Sequence, residues 1–447
     1  MRRGLARLAT VTLTLLGSTV VIGAVGTAPA AAATGTFNAL SYNVAGLPEG
    51  LSSAPTPRDS ATTAIGQRLS PYDIIHVQED FNYHANLYAT DTHPYRTPTS
   101  GGAGIGSGLN TLSNYAYDTD DFERVHWNSC QLDSGDCLTP KGFTFMRERL
   151  AEGVYVDFYN IHTNAGTSAG DEESRADNLN QLTAFIKTHS AGNAVVVMGD
   201  SNARYTRALD TIAGFVAGNG LTDAWVKLER AGTAPAPGTD ALLCDENAIT
   251  DTCEVVDKIL YRSSTFVTLN ATDYHNDHAA FLDSAGLMLS DHDPIAVKFS
   301  WSTNPAYGFS EQFGGPHGDY YNDIDAVSAG ARATTIGLRS GSRVDQLSVA
   351  LSNGTTLAHG GTGGSATSLT LGSNEYVTTA YLCRAAYSGH TRIFYAKLTT
   401  NLGNSLAGGS TTSDCVTRTA PSGWQIAGFH GRSGDEVDKI GFIYTKR

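Results

Sequence analysis

The chain has 447 residues, 41% of them apolar and 17% charged, with a formal net charge of −14. That apolar content excludes a disordered chain, and the acidic balance excludes a protein that grips nucleic acid mainly through a basic surface. One core rarely extends past about 250–300 residues, so two domains are expected.

In chain order, Arg2, Arg3 and Arg7 precede an apolar run from Val11 to Val25 that ends in small residues. This reads as a secretory signal over residues 1–33, cut after Ala33, and places the mature chain outside the cell. Thr12, Thr14, Gly17, Ser18 and Thr19 interrupt the run. No later stretch reaches the roughly 20 apolar residues that span a bilayer, so no transmembrane segment is expected in the mature chain. Strands are predicted at Phe37–Val44, Tyr72–Gln78, Val154–His162, Ala194–Met198, Val255–Arg262 and Pro294–Phe299. A helix is predicted over Asp171–His189, with Ala176, Leu179, Leu182, Phe185 and Ile186 on one face. After Trp301, Ser-Thr-Asn-Pro-Ala-Tyr-Gly reads as a short linker, and the charge changes there. Residues 34–302 carry 16 basic and 34 acidic side chains, whereas residues 303–447 carry 11 and 10. The later part shows short strands and Gly/Ser/Thr turns with hardly a helical period. The expected class is α+β over 34–302, followed by an all-β domain over 303–447.

Six cysteines in an exported chain read as structural disulfides. Sequence leaves the connectivity open. Cys130/Cys137, Cys244/Cys253 and Cys383/Cys415 fall as local pairs, none spaced like a metal knuckle.

The first domain repeats one pattern: an apolar strand meets a carboxylate, amide or imidazole. Asn43, Glu79, His162 and Asp200-Ser-Asn202 close four strands, Asp257 opens another, and Asp291-His292 precedes the last. Alternation puts Val154, Val156 and Phe158 on one face with Asn160 and His162, which carries His162 to the sheet edge. Converging edges would gather hard oxygen ligands suited to Mg²⁺, Ca²⁺ or Mn²⁺ rather than zinc. Two imidazoles there can act as base and acid near neutral pH. His76 reads as a packed core histidine; His84, His93 and His189 read as surface residues.

The ordered set Tyr-Asn43-Val, Gln-Glu79, Asn-Ile-His162, Gly-Asp200-Ser-Asn202, Val-Asp257-Lys-Ile-Leu and Ser-Asp291-His292-Asp-Pro resembles the endonuclease/exonuclease/phosphatase superfamily over most of 36–300. The resemblance implies a deoxyribonuclease-like sandwich of two β-sheets flanked by helices. It implies that Asn43 and Glu79 hold the metal and that His292 is the general base. Asp200 and Asn202 would position nucleophile and phosphate, and His162 would bind or protonate a phosphoryl oxygen. Asp291 would sit by its histidine, and Asp257 would support the cluster. Within that superfamily, Cys130-(x6)-Cys137-Leu-Thr-Pro-Lys141-Gly-Phe resembles the matching stretch of secreted bacterial sphingomyelinases. In those enzymes a hydrophobic hairpin that dips into the membrane precedes Ser-Asp-His; Phe281, Leu282, Leu287 and Met288 stand at that place here. They usually follow the strand histidine with Leu-Gln-Ala, whereas this chain has Thr163-Asn164-Ala165. The implied function is a secreted Mg²⁺-dependent phosphodiesterase acting on phospholipid or sphingolipid head groups. A secreted nuclease of the same fold, or a carbohydrate-binding protein with an inactive hydrolase domain, are the alternatives.

The second domain carries Gly314-Gly315, Gly-Ser-Arg-Val-Asp-Gln, His359-Gly-Gly-x-Gly-Gly and the closing Gly434-Asp435-Glu436-Val437-Asp438, and resembles jacalin-related lectins over roughly 308–445. That resemblance implies a β-prism of three four-stranded sheets. It also implies glycan binding by the Gly434–Asp438 loop, with Gly314 and Gly315 opposite.

Overall fold

The computed structural model describes residues 32–100, 106–132 and 136–447; apart from Ala32 and Ala33, the signal segment lies outside the described residues. The first part has strands β1 (Thr34–Asn43), β2 (Ile74–Gln78), β3 (Tyr95–Arg96), β4 (Asn110–Ser113), β5 (Ala116–Tyr117), β6 (Glu123–His126) and β7 (Gly142–Ala151). It continues with β8 (Val154–His162), β9 (Ala194–Asp200), β10 (Thr222–Asp223), β11 (Asp257–Arg262), β12 (Val267–Asn276) and β13 (Ile295–Thr303). The helices are α1 (Arg58–Gly66), α2 (His84–Tyr88), α3 (Ala169–His189), α4 (Ile212–Gly218) and α5 (Ala224–Glu229).

Two sheets face each other. One runs β12-β13-β1-β2-β4-β3, the other β10-β11-β9-β8-β7-β5, with β6 also on β7. Parallel pairing aligns Asn43 with Gln78 and His162 with Asp200, and antiparallel pairing sets Asp257 opposite Asp200. Every polar strand end therefore reaches the same end of the sandwich. Parallel neighbours need a crossover; the segments carrying α1 and α3 provide two. A capping box joins Ser168 and Asp171 at the start of α3. Its apolar stripe buries Leu179, Leu182 and Ile186, but its first turns bury Asp171, Glu172, Arg175 and Asn178 instead. Between the sheets, Phe37 stacks on Phe299 at 5.0 Å and meets Phe158 edge-on at 5.9 Å.

His76 is a core histidine, and burial pushes its imidazole down to about 3. The surface reading of His93 is corrected: it is buried, paired with Asp91 and 2.8 Å from the Tyr72 carbonyl. His84 is half-buried, 2.6 Å from Asp80. His189 is also half-buried, stacked on Phe185 at 3.5 Å and packed against Tyr320 of the second part.

The second part forms three sheets. Val344–Leu351 and Ala333–Ser340 are flanked by Thr356–Gly360 and Ser365–Thr370; His390–Thr400 and Val377–Tyr387 are flanked by Ser405–Gly409 and Asp414–Thr419. In the third sheet, Val437–Lys446 and Trp424–Ser433 lie between Tyr307–Phe309 and Asp319–Asn322, and Phe313–Gly314 adds a further rung. Tyr307 is already paired with Thr445, four residues past the end of β13, so the predicted linker is a tight passage between sheets. The two parts pack directly. Glu311 accepts from Arg149, the Gly153 N–H and the Tyr155 hydroxyl, and Lys439 reaches Asp118 and Asp121 at 2.6 and 2.7 Å. Phe266 and Phe309 stack at 4.5 Å. Disulfides join Cys130–Cys137, Cys244–Cys253 and Cys383–Cys415.

Candidate active site

At the end where the strand ends converge, Asn43 donates its amide to Glu79 and to Asp200, each at 3.2 Å, and its oxygen accepts the Ala45 N–H. His162 Nε2 lies 3.3 Å from Asp200 and 3.9 Å from Glu79. His292 Nδ1 is 2.8 Å from Asp257, and its Nε2 faces Asp200 at 3.7 Å. Asn202 donates its backbone N–H to Asp200 and its side chain to the Thr163 carbonyl. Ser290 Oγ ties the His292 loop to the Asn43 carbonyl at 2.6 Å.

The backbone is bent to achieve this. Glu79 and Asn202 have φ of +57° and +48°, a left-handed conformation that costs a non-glycine residue of order 1 kcal/mol. Gly46 and Gly108 make room for Glu79: a Cβ on Gly46 would come 2.2 Å from the Glu79 carbonyl oxygen, and one on Gly108 2.9 Å from its Cα.

Charge is concentrated and mostly buried. Burial alone would raise the Asp200 carboxyl, but His292, His162 and Lys141 outweigh it and hold the group down to about 2. Burial pushes Asp257 up to about 6 against the pull of His292. Burial also raises Glu79, which the Asn43 bond partly offsets, and drives His162 well below its usual range. His292 lies well above its usual range, because Asp257 and Asp200 outweigh its burial.

A divalent cation fits this arrangement. Glu79, Asp200 and Asp257 bring three carboxylates together, and Asp257 Oδ1 is buried without a hydrogen-bond partner among the described residues. Among the described residues, Asp200, Asp257 and His292 form the group that presents donor atoms within 4.8 Å of one another. Asp257 is hydrogen-bonded to His292, whereas Glu79 and Asp200 share the Asn43 amide. Asn43 lies against both carboxylates, its amide on Glu79 and Asp200 and one lone pair of its oxygen on the Ala45 N–H. Asp291 is exposed at the rim, its carboxylate 3.4 Å from Ser290 Oγ.

Sequence reasoning missed Lys141, which pairs with Asp136 and reaches the Thr163 carbonyl at 3.5 Å, directly behind His162. It also missed the Trp127 indole N–H on the His162 carbonyl at 2.6 Å. A cation immediately before an apolar strand in so acidic a domain was the available signal. Thr163 and Asn164, where the motif departs from the sphingomyelinase pattern, are buried. Thr163 bonds the Ser201 carbonyl, and Asn164 engages Gln131 and Asn178, so both brace the loops below the site.

Residues 58–298 match the family described as endonuclease/exonuclease/phosphatase family 2. The chain belongs to that family. Residues 310–443 match the jacalin-like lectin domain. Over 284 residues the chain is 42% identical to proteins described as sphingomyelinase from Mycobacterium bovis and Mycobacterium tuberculosis. Those alignments cover 62% of this chain and 55% of each relative, so the chain spans about half the length of the curated relatives it matches. Among solved structures, sphingomyelinase C from Streptomyces griseocarneus is 19% identical with a TM-score of 0.42, covering 59% of this chain and 99% of that one. A Malaysian banana lectin is 24% identical with a TM-score of 0.28, covering 32% of this chain and 99% of its own.

In this family member the predicted membrane hairpin needs correction. Phe281 is 2% exposed and packs edge-on against Tyr42 at 5.0 Å, so it is core and cannot enter a bilayer. Leu282 and Met288 are half-buried partners in a single antiparallel bridge, and only Leu287 stands free at the turn.

The lectin loop also needs sorting. Gly434 and Asp435 are exposed, whereas Val437 is buried core and contributes backbone alone. Glu436 is buried and paired with Arg343 and Arg392, so its carboxylate is committed. Gly315 N–H bonds the Asp438 carbonyl at 2.8 Å, and a Cβ on Gly314 would sit 2.1 Å from that oxygen, which explains the paired glycines. The arrangement recurs in the next sheet, where Gly361 N–H bonds the Asp345 carbonyl at 2.9 Å. The sheet of His390–Thr400 has Phe394 at the aspartate's place, its carbonyl accepting the Ser410 N–H at 2.9 Å.

Proposed function

We propose that the protein is a secreted, Mg²⁺-dependent phosphodiesterase that hydrolyses phospholipid or sphingolipid head groups, and that its lectin domain binds glycan. The observation that carries the hydrolase reading is the His292–Asp257 pair at 2.8 Å, set beside the Glu79–Asp200 carboxylates. The sphingomyelinase relatives, 42% identical over 284 residues, favour a lipid phosphodiester over a nucleic acid. So does the excess of acidic side chains on this domain, 34 against 16 basic.

Glu79 and Asp200 would hold the ion, whose positive charge offsets the charge developing on the phosphoryl oxygens. Asn43 fixes both carboxylates through its amide. Asp257 holds the tautomer of His292 in which Nδ1 carries hydrogen and Nε2 takes the proton of the attacking water. In the free protein Asp257 and Asp200 hold the His292 imidazole above its usual range, and a cation on Asp200 would weaken that hold and favour Nε2 as a base. His162, kept neutral by burial, donates a hydrogen bond to a phosphoryl oxygen. Asn202 anchors the loop beneath it, and Lys141 adds a positive charge behind the site.

Purified protein offered sphingomyelin, ceramide phosphoethanolamine, phosphatidylcholine and duplex DNA, with and without chelator, tests the reading. Head-group release that chelator abolishes is expected. DNA cleavage without lipid turnover would make the enzyme a nuclease. A mature N-terminus at Thr34 in culture medium is the matching expectation for export.

A further inference from the structure

We infer that the lectin domain carries a further ligand site, for a carboxylated sugar, in a cavity at the end of the prism opposite the Gly434–Asp438 loop. The cavity measures about 490 Å³, room enough for a small ligand, and lies where all three sheets end. Arg332 precedes the strand Ala333–Ser340, Tyr376 precedes Val377–Tyr387, and Asn401 follows His390–Thr400. Gln425 lies at the start of Trp424–Ser433, whose other end delivers Gly434, and Arg447 follows Val437–Lys446. The length of that strand holds the cavity about 25–30 Å from the Gly434 loop.

Two features of the lining call for different parts of one ligand. The first is positive charge. Arg332 donates to the Gly372 carbonyl at 2.9 Å, and the Arg447 guanidinium lies over the Tyr376 ring at 4.0 Å; neither pairs with a carboxylate among the described residues. Glu375, the acid in the lining, is buried and committed: it accepts the Thr400 hydroxyl at 2.7 Å, the Asn404 amide at 2.8 Å and the Gly372 N–H at 3.2 Å. The cavity keeps an excess of positive charge, and the planar guanidinium fork matches a carboxylate. The second feature is an acceptor. Gln425 is 2% exposed, and its amide nitrogen donates to the Ala331 carbonyl at 3.2 Å, which fixes the orientation of the amide. Its Oε1 is then buried without a partner among the described residues. Such an oxygen calls for an O–H or N–H donor. A sulfate ion or a fatty carboxylate offers none. A sugar acid carries both parts on one ring, the carboxylate for the arginines and hydroxyls for Gln425. The wall is formed in advance: Asn401 Oδ1 accepts the Tyr376 N–H at 2.9 Å and its amide nitrogen donates to the Asn374 carbonyl at 3.1 Å.

This inference goes beyond glycan binding by the Gly434 loop and stands if that loop binds nothing. Full-length protein is titrated by calorimetry with a methyl glucuronide and a methyl sialoside, two sources of a sugar carboxylate, and with methyl mannoside and inorganic phosphate. At least one sugar acid should bind, and the one that does names the source. Arg332→Gln should weaken that binding about tenfold, and Gln425→Leu by a similar factor. Melting curves accompany both variants; if the buried Gln425→Leu fails to fold, the half-buried Arg332 decides. No binding of either sugar acid, an affinity unchanged by Arg332→Gln, or equal binding of methyl mannoside or phosphate at the same arginine overturns the site. Loss on Asp438→Ala in place of Arg332→Gln would move the sugar acid to the Gly434 loop and overturns it as well.

Discussion

The two ends of the catalytic sandwich are made by the same strands and carry opposite chemistry. At the far end the charges that join the two domains are matched: Glu311 takes three donors, Asp121 takes Lys439 and Arg432, and aromatic rings stack across to the lectin domain, although Glu148 is buried there without a hydrogen-bond partner among the described residues. At the catalytic end Asp257 Oδ1 and His162 Nδ1 have no partner among the described residues, the backbones of Ala45, Glu79 and Asn202 are left-handed, and leucines face water. Stability and function are thus segregated along the strand axis. Strands of nine or ten residues hold the two ends about 30 Å apart, so one end can stay unsatisfied without unfolding the other.

The sharpest break of that contrast is His292→Ala. Its side chain lies at the mouth, hydrogen-bonded to Asp257, so head-group release should fall about 10³-fold, roughly 4 kcal/mol in the barrier, while glycan binding stays intact. Retained turnover in a phosphate-release assay would remove it as the base. Glu79→Gln should raise the Mg²⁺ concentration needed for half-maximal turnover, read by titration into chelated protein, while glycan binding stays as it was.

Phe281→Ala and Leu287→Ser then separate core from surface within one short turn. Phe281 packs on Tyr42 and Tyr72, and its truncation should cost about 3 kcal/mol in denaturant unfolding. Leu287→Ser should cost nothing measurable there. Equal effects from the two would mean that the segment is wholly core.

That pair also shows what the chain could say in advance. The strand termini Asn43, His162, Asp200 and Asp257 were legible because period-two alternation followed by an abrupt polar residue is a local signal. Phe281 was not, because Ala-Ala-Phe-Leu before a turn reads the same whether the ring faces Tyr42 or solvent. His93 misled for a similar reason: its partner Asp91 is two residues away, but the Tyr72 carbonyl that completes its burial is 21 residues distant. Asn43 was legible as a strand end, but its bond to the Ala45 N–H was not, since that depends on the turn that follows the strand. The direct packing of the lectin domain was invisible, because Glu311, Asp118 and Lys439 look like ordinary surface charges until the sheets are docked.

The paired end yields smaller effects. Glu311→Gln should lower stability by about 1–2 kcal/mol, discounted for its partial exposure, and leave soluble-substrate turnover intact. The same contact predicts a pH response. Burial opposes ionisation of Glu311, but the Tyr155 hydroxyl, the Gly153 N–H and Arg149 outweigh it and hold the carboxyl below its usual range. Burial likewise loses to Lys439 at Asp118. Depressed carboxyls stabilise the docked form fully above their unfolded pKa of about 4, and that contribution disappears as pH falls through the folded values. Calorimetry should resolve separate transitions for the two parts below about pH 4 and one above it. A single transition throughout would show that apolar packing alone holds them together.

The smallest effect on catalysis belongs to Asp438→Ala. Its carboxylate lies 3.5 Å from Arg392, whereas the neighbouring Lys439 makes the contact with the catalytic domain. Removing the aspartate therefore takes an acceptor from the proposed glycan loop without touching the interface. Binding on a glycan array should vanish while soluble-substrate turnover stays within about twofold, since nothing in the catalytic cluster loses a partner. Asp438→Asn, which keeps the shape and one acceptor, should retain part of the binding. A fall in soluble turnover would mean that the two ends communicate through Lys439 and Asp121, and the segregation along the strands would then describe stability but not function.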